Sequence, residues 1–85
     1  MTAIITEIKT QNCTRCKSFE PEYQRIQQEN PQYEYRALVF GIDPEAMEYA
    51  NKYSIKSAPT FVVEPEDGDA IVVKQEELEN TIKAL

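Results

Sequence analysis

The sequence predicts an α/β fold in the order β-α-β-α-β-β-α, a four-stranded mixed sheet flanked by three helices. Three observations predict it. Short β-branched, apolar runs alternate with segments whose apolar residues recur at i, i+4 and i+7. A helix joins the first two strands, which therefore lie parallel through a right-handed crossover. The last two strands are separated by only a short acidic turn, which makes them an antiparallel hairpin.

The elements follow in order. Ala3-Ile4-Ile5-Thr6-Glu7-Ile8 is apolar and β-branched and reads as the first strand. After the loop Gln11-Asn12, a helix runs from Cys13 to Gln28, with Phe19, Tyr23 and Ile26 on one face. Pro21 lies inside it and removes one backbone bond, and Asn30-Pro31 ends it. Tyr35 to Phe40 is the second strand; its apolar run Ala37-Leu38-Val39-Phe40 is the pattern of a strand covered on both faces. Asp43-Pro44-Glu45 supplies an N-cap, a proline at the first helical position and an early acid. The helix it opens carries Ala46, Tyr49, Ala50 and Tyr53 on one face. Ser57-Ala58-Pro59 breaks the chain before the third strand, Thr60 to Val63. Pro65 to Asp69 is a turn by composition, Ala70 to Val73 is the fourth strand, and Leu78, Ile82 and Leu85 mark the last helix, starting near Gln75.

Eighty-five residues make one expected domain, 1–85. A chain this size buries roughly 60–65% of its unfolded surface and has no room for a second core. Its 41% hydrophobic and 28% charged residues are those of a globular chain. No apolar run approaches the ~20 residues of a membrane helix, and the first ten residues lack a basic region followed by an apolar block. The expectation is a cytoplasmic monomer without a membrane partner. A net charge of −6 argues against nucleic acid, whose phosphates need a clustered basic face. There is no histidine, so the commonest general base and metal ligand is missing.

The chemistry therefore falls to the two cysteines, in the run Cys13-Thr14-Arg15-Cys16 between a strand and a helix. Residues three apart on a helical turn are neighbours, so the sulfurs are placed to close a disulfide. The unpaired N–H groups and dipole of a helix start favour a thiolate at Cys13, as do the cations Lys9, Arg15 and Lys17. Cys13 is thus the candidate nucleophile and Cys16, one turn in, the candidate resolving thiol. Zinc is the main rival for two thiolates, but structural zinc takes four ligands, which here would require two copies of the chain. A purely structural disulfide around so short a loop would add little stability.

Beyond the cysteines, the sequence resembles the thioredoxin superfamily, and in particular its small thioredoxin/glutaredoxin-like proteins. Cys13-Thr14-Arg15-Cys16-Lys17 followed by Pro21 is similar to the family's C-G-P-C-K run and helix proline. Ala50-Asn51-Lys52-Tyr53-Ser54-Ile55-Lys56-Ser57-Ala58-Pro59-Thr60 is similar to the segment ending in the family's cis-proline and threonine. The resemblance covers nearly the whole chain and implies a thioredoxin-like fold without the extra N-terminal strand and helix. It implies a cis Ala58–Pro59 bond packed against the cysteines, with Thr14, Arg15, Ala58, Pro59 and Thr60 as substrate-binding positions. Glu7, six residues before Cys13, stands at the offset of the family's buried proton-relaying aspartate; the residue read by itself fits equally a strand end facing water. Tyr53 is a candidate to flank the groove.

The sequence departs from the pattern in three places. Asn12 replaces the tryptophan before the first cysteine, and Thr14-Arg15 replaces Gly-Pro, which should raise the potential above that of a thioredoxin, roughly −270 mV, toward the glutaredoxin range. The Gly-Gly and acid with which glutaredoxins hold glutathione are absent; Lys9 and Gln11 remain as candidate carboxylate contacts. The resemblance implies reduction of protein disulfides, with no bound cofactor or metal beyond the redox-active Cys13–Cys16 disulfide. The reductant is thioredoxin reductase or glutathione, and ribonucleotide reductase is a client by resemblance. The alternatives are a glutathione-dependent glutaredoxin and a redox-inert binding module.

Overall fold

A computed structural model describes residues 2–85; Met1 of the expected domain lies outside the described residues. The elements are β1 (Ile4–Lys9), α1 (Thr14–Glu29), β2 (Glu34–Val39), α2 (Pro44–Tyr53), β3 (Thr60–Glu64), β4 (Ile71–Lys74) and α3 (Gln75–Lys83). The sheet order is β2-β1-β3-β4. β1 runs parallel to β2, with Glu7 opposite Ala37, and antiparallel to β3, with Glu7 opposite Phe61. The β3–β4 hairpin is antiparallel, and Gly68 takes φ +120° in its turn, a backbone position that favours glycine. The β-α-β-α-β-β-α order and the mixed four-stranded sheet are those the sequence predicts.

The pleat of the central strands divides the core. On one face Ile5, Phe61 and Val63 pack with Tyr23 and Ile26 of α1 and Leu78 and Ile82 of α3. On the other, Ile8, Leu38 and Val62 pack with Ala46 of α2, flanked by Tyr49, Tyr53 and Ile55. Helical period from α1 and alternation from β1 and β3 thus meet in two layers on one sheet. The face with α1 and α3 is rich in aromatic contacts: Phe61 meets Phe19 edge-on at 5.6 Å and Tyr23 at 5.2 Å.

Four expectations are corrected. β2 is not covered on both faces: it is an edge strand in which only Leu38 is buried, Ala37 is exposed, and Phe40 lies just past its end, 41% exposed. An uninterrupted apolar run cannot by itself distinguish a central strand from an edge strand that turns into a loop. Leu85 lies beyond α3 and is 40% exposed, so it does not extend the Leu78–Ile82 face. Asp43 is the N-cap residue of α2, with Pro44 and Glu45 in its first turn as expected, but its side chain makes no capping bond; Oδ2 accepts from the Val39 N–H at 2.8 Å and ties the end of β2 to the loop. Element ends shift by one residue, because Cys13 is the N-cap of α1 and Lys9 still pairs with β2. The Asp43 bond should contribute about 1 kcal/mol. Asp43→Ala is expected to lower the unfolding free energy by that amount, read as a lower urea midpoint at an unaltered denaturant slope, and an unchanged midpoint would count against the tie.

Candidate functional site

β1 ends at Lys9 and the chain turns through Thr10–Asn12 into α1, which fixes both cysteines at one end of the sheet. Cys13 has extended backbone (φ −96°, ψ 100°) and caps the helix, its Sγ accepting from the Cys16 N–H at 3.0 Å. One of the helix's unpaired N–H groups is thereby satisfied by sulfur. Cys13 and Cys16 form a disulfide across a Cα–Cα distance of 5.2 Å. Both residues are buried, at 9% and 5% exposed; both line one cleft, and Cys13 lines a second as well.

The Ala58–Pro59 bond is cis, as the resemblance implies, and Pro59 is buried. Two clefts meet at Cys13. One, of about 330 Å³, is lined by Glu7, Lys9, Gln11, both cysteines, Lys17 and Glu20, with Val39 and Ile42. The other, of about 340 Å³, is lined by Cys13, Ile8, Lys9, Phe40, Ala50, Ile55, Lys56 and the Ser57-Ala58 stretch before the proline. Among the described residues, the backbone N–H and C=O of Ala58 have no partner. Phe40, Ile42, Ile55 and Lys56 were not singled out as site residues from the sequence. The available signal was their position: Phe40 and Ile42 follow the C-terminal end of a parallel strand, where ligand crevices of α/β sheets form.

Glu7 is 5% exposed, on the α1 face of the central strand and on the wall of the first cleft. This decides between the two readings of the residue in favour of burial. Burial pushes its carboxyl above the usual range; Lys9, two residues on, pulls it down, and Glu20 pushes it up. An acid whose folded pKa exceeds its unfolded one contributes stability that is fully present below the ordinary glutamate pKa. That stability is lost as pH rises through the raised value. The wild-type protein should therefore lose stability through Glu7 as pH rises above 4.5 and through the raised value. Glu7→Gln should remove that part of the pH dependence and be more stable above it, by about 1–3 kcal/mol. Urea melts of both proteins at pH 4.5 and pH 8 check this; parallel pH dependence in the two would contradict it.

The other predicted residues separate. Lys9 is half-buried and lines both clefts, and Lys17 is exposed and lines the first. Thr14 and Arg15 are exposed on the first turn of α1. Arg15 extends to Glu76 at the start of α3, 3.9 Å away, so its charge is shared with a carboxylate rather than left to the sulfurs. Thr60 is 1% exposed; its hydroxyl donates to the Ser57 carbonyl at 2.6 Å and accepts from Lys74 Nζ at 3.2 Å. Its hydroxyl is thereby committed to holding the cis-proline loop. Tyr53 stacks on Tyr49 in the α2 layer, centroids 6.0 Å apart, and does not line either cleft beside Cys13. Among the described residues no three His, Cys, Asp or Glu side chains gather as a metal site. No helix is long and apolar enough to cross a membrane.

Residues 2–85 match the thioredoxin family. No curated protein matches the sequence. Among solved structures, the chain is similar to Fasciola hepatica thioredoxin, with a TM-score of 0.77 at 26% identity over 98% of this chain and 80% of that one. It is similar also to mitochondrial thioredoxin 3 of Saccharomyces cerevisiae in its oxidized form, with a TM-score of 0.78 at 23% identity over 98% and 78%. A further likeness is to a structure of thioredoxin f2 in complex with ferredoxin:thioredoxin reductase, with a TM-score of 0.79 at 21% identity over 98% and 76%.

Proposed function

Because the chain belongs to the thioredoxin family and is a dithiol–disulfide oxidoreductase with an intrinsic Cys13–Cys16 pair, we propose that it reduces protein disulfides as an electron carrier. The observation that carries this reading is the Cys13 sulfur at the cap of α1, next to the cis-proline loop and open to two clefts.

The reaction starts from the dithiol. The Cys13 thiolate attacks one sulfur of a client disulfide; the client S–S bond breaks, a mixed disulfide forms, and the second client sulfur leaves as thiolate. The Cys16 N–H that reaches Cys13 Sγ at 3.0 Å, with the helix start behind it, stabilises the attacking anion. The Cys16 thiol then loses its proton and attacks Cys13 Sγ; the Cys13–client bond breaks and the client sulfur first attacked leaves as thiolate. The client gains two electrons and the chain is left as the Cys13–Cys16 disulfide. Glu7, buried, with its pKa raised and lining the same cleft as Cys16, takes the Cys16 proton in this reading. The free N–H and C=O of Ala58 hold an extended client segment as a short added strand.

A dithiol reductase restores the reduced form, and the role belongs in a reducing compartment such as the cytoplasm. That thioredoxin f2 is found in complex with ferredoxin:thioredoxin reductase supports a reductase as donor. Ribonucleotide reductase, the client implied by the resemblance, is one candidate. Insulin reduction tests the reading: coupled to thioredoxin reductase it should turn over, and coupled to glutathione with its reductase it should be much slower. Turnover with glutathione alone would instead favour a glutaredoxin, with Lys9, Gln11 and Lys17 holding the tripeptide's carboxylates in the first cleft. For Glu7→Gln, the resolving step at neutral pH should fall at least about tenfold and lose its pH dependence in the region of the raised carboxyl. A wild-type profile would remove Glu7 from proton transfer.

A further inference from the structure

The second cleft beside Cys13 carries a charge opposite to that of the molecule. The chain has fifteen acidic and nine basic residues, yet this cleft holds Lys9 and Lys56 and no carboxylate. Ion pairing sharpens the contrast. Among the described residues Arg15, Arg25, Arg36 and Lys83 each have a carboxylate partner. The lysines without one are Lys9, Lys17, Lys52, Lys56 and Lys74. Lys17 lines the other cleft at the cysteines, and Lys74 is bonded to the hydroxyls of Ser57 and Thr60 on either side of the cis-proline. Lys52, in the last turn of α2, lies over the Tyr53 ring. Three of these five lysines, Lys9, Lys17 and Lys56, thus line the clefts at Cys13, and Lys74 is bonded beside the cis-proline. The carboxylates that share a cleft with the cysteines, Glu7 and Glu20, line the other one. The floor of the second cleft is apolar: Ile8, Ala50, Ile55, Ala58 and Phe40, which is 41% exposed at its mouth.

We propose that this cleft selects clients whose attacked cysteine has a bulky apolar neighbour and flanking acidic residues, so that the partner is an acidic protein segment carrying a disulfide. The apolar side chain enters between Phe40, Ile55 and Ala58, and the client's carboxylates meet Lys9 and Lys56 at the rim. At physiological ionic strength the Debye length is about 8 Å. The acids on distant surfaces are therefore largely screened from the client, while the rim lysines in contact with it are not. Charge complementarity here sets selectivity more than total affinity. The inference rests on the disulfide-reductase reading and names the substrate class of that same site.

The test uses the pre-reduced full chain and three peptides with a single intramolecular disulfide, at 0.15 M salt. One has leucine beside the attacked cysteine and flanking glutamates, the second has lysines in place of the glutamates, and the third keeps the glutamates with glycine in place of leucine. The acidic leucine peptide should be reduced about fivefold faster than the basic one and about fivefold faster than the glycine one. Lys56→Glu should bring the acidic-to-basic ratio to one or below, and Lys56→Gln to an intermediate value. Equal rates for the acidic and basic peptides, or a ratio unmoved by either Lys56 variant, would overturn the docking proposal and leave the reductase reading standing. Reduction of none of the peptides would overturn both.

Discussion

Cys16→Ser is expected to cut turnover by about a thousandfold or more while accumulating client bound covalently through Cys13. The effect follows from the asymmetry of the pair. Cys13 is at the cap and is the one of the two that lines both clefts. Cys16 lies one turn in, lines only the first cleft and meets Cys13 across a Cα–Cα distance of 5.2 Å. Without Cys16 the mixed disulfide has no internal thiol to release it and awaits an external one. Cys13→Ser should lose turnover to the same extent and yet trap nothing. Non-reducing electrophoresis with a disulfide-bonded client distinguishes the two variants. Trapping by Cys13→Ser, or by both equally, would reverse or erase the assigned roles.

The second large effect is on stability. Phe61→Ala is expected to cost about 3–5 kcal/mol. Phe61 is fully buried at the centre of the α1–α3 face, touching Phe19 and Tyr23 and pairing across the sheet with Glu7. A chain of 85 residues has on the order of 4–13 kcal/mol in total. The loss is therefore a large part of the whole, and thermal unfolding should fall by about 20 °C or more. Phe61→Leu, which keeps most of the apolar volume, should cost less than half as much. Calorimetry on the three proteins checks the order; a Phe61→Ala protein within a few degrees of wild type would contradict the central packing role.

The reading from sequence succeeded where local chemistry determined the result. The strand-to-helix step placed Cys13 and Cys16 at a helix start, and the matched segment ending in Pro59 placed the cis bond beside them. It failed where the outcome depended on neighbours distant along the chain. Ala37 to Phe40 looked buried because all four are apolar, but β2 is at a sheet edge and Phe40 leaves it for the cleft. Asp43 has the composition of a cap, and only the return of β2 beside it offers the competing Val39 N–H. The bonds of the Thr60 hydroxyl, to Lys74 from the facing strand and to the Ser57 carbonyl, were not legible either. Glu7 stood open between two readings until the sheet order put β1 at the centre with Phe61 on one side. Lys56 read as one cation among nine, and its meaning depends on which carboxylates the fold places elsewhere.

The central claim is that Cys13 and Cys16 deliver two electrons to a protein disulfide, and stoichiometric reduction measures it most directly. The chain is reduced, freed of reductant and mixed with excess insulin, and the intact mass of the chain and the free thiols of insulin are followed together. The account predicts one insulin disulfide opened per chain, with the chain returning as the Cys13–Cys16 disulfide, two hydrogens lighter. Insulin left intact by a fully reduced chain, or thiols gained by insulin without loss of both hydrogens from the chain, would contradict it.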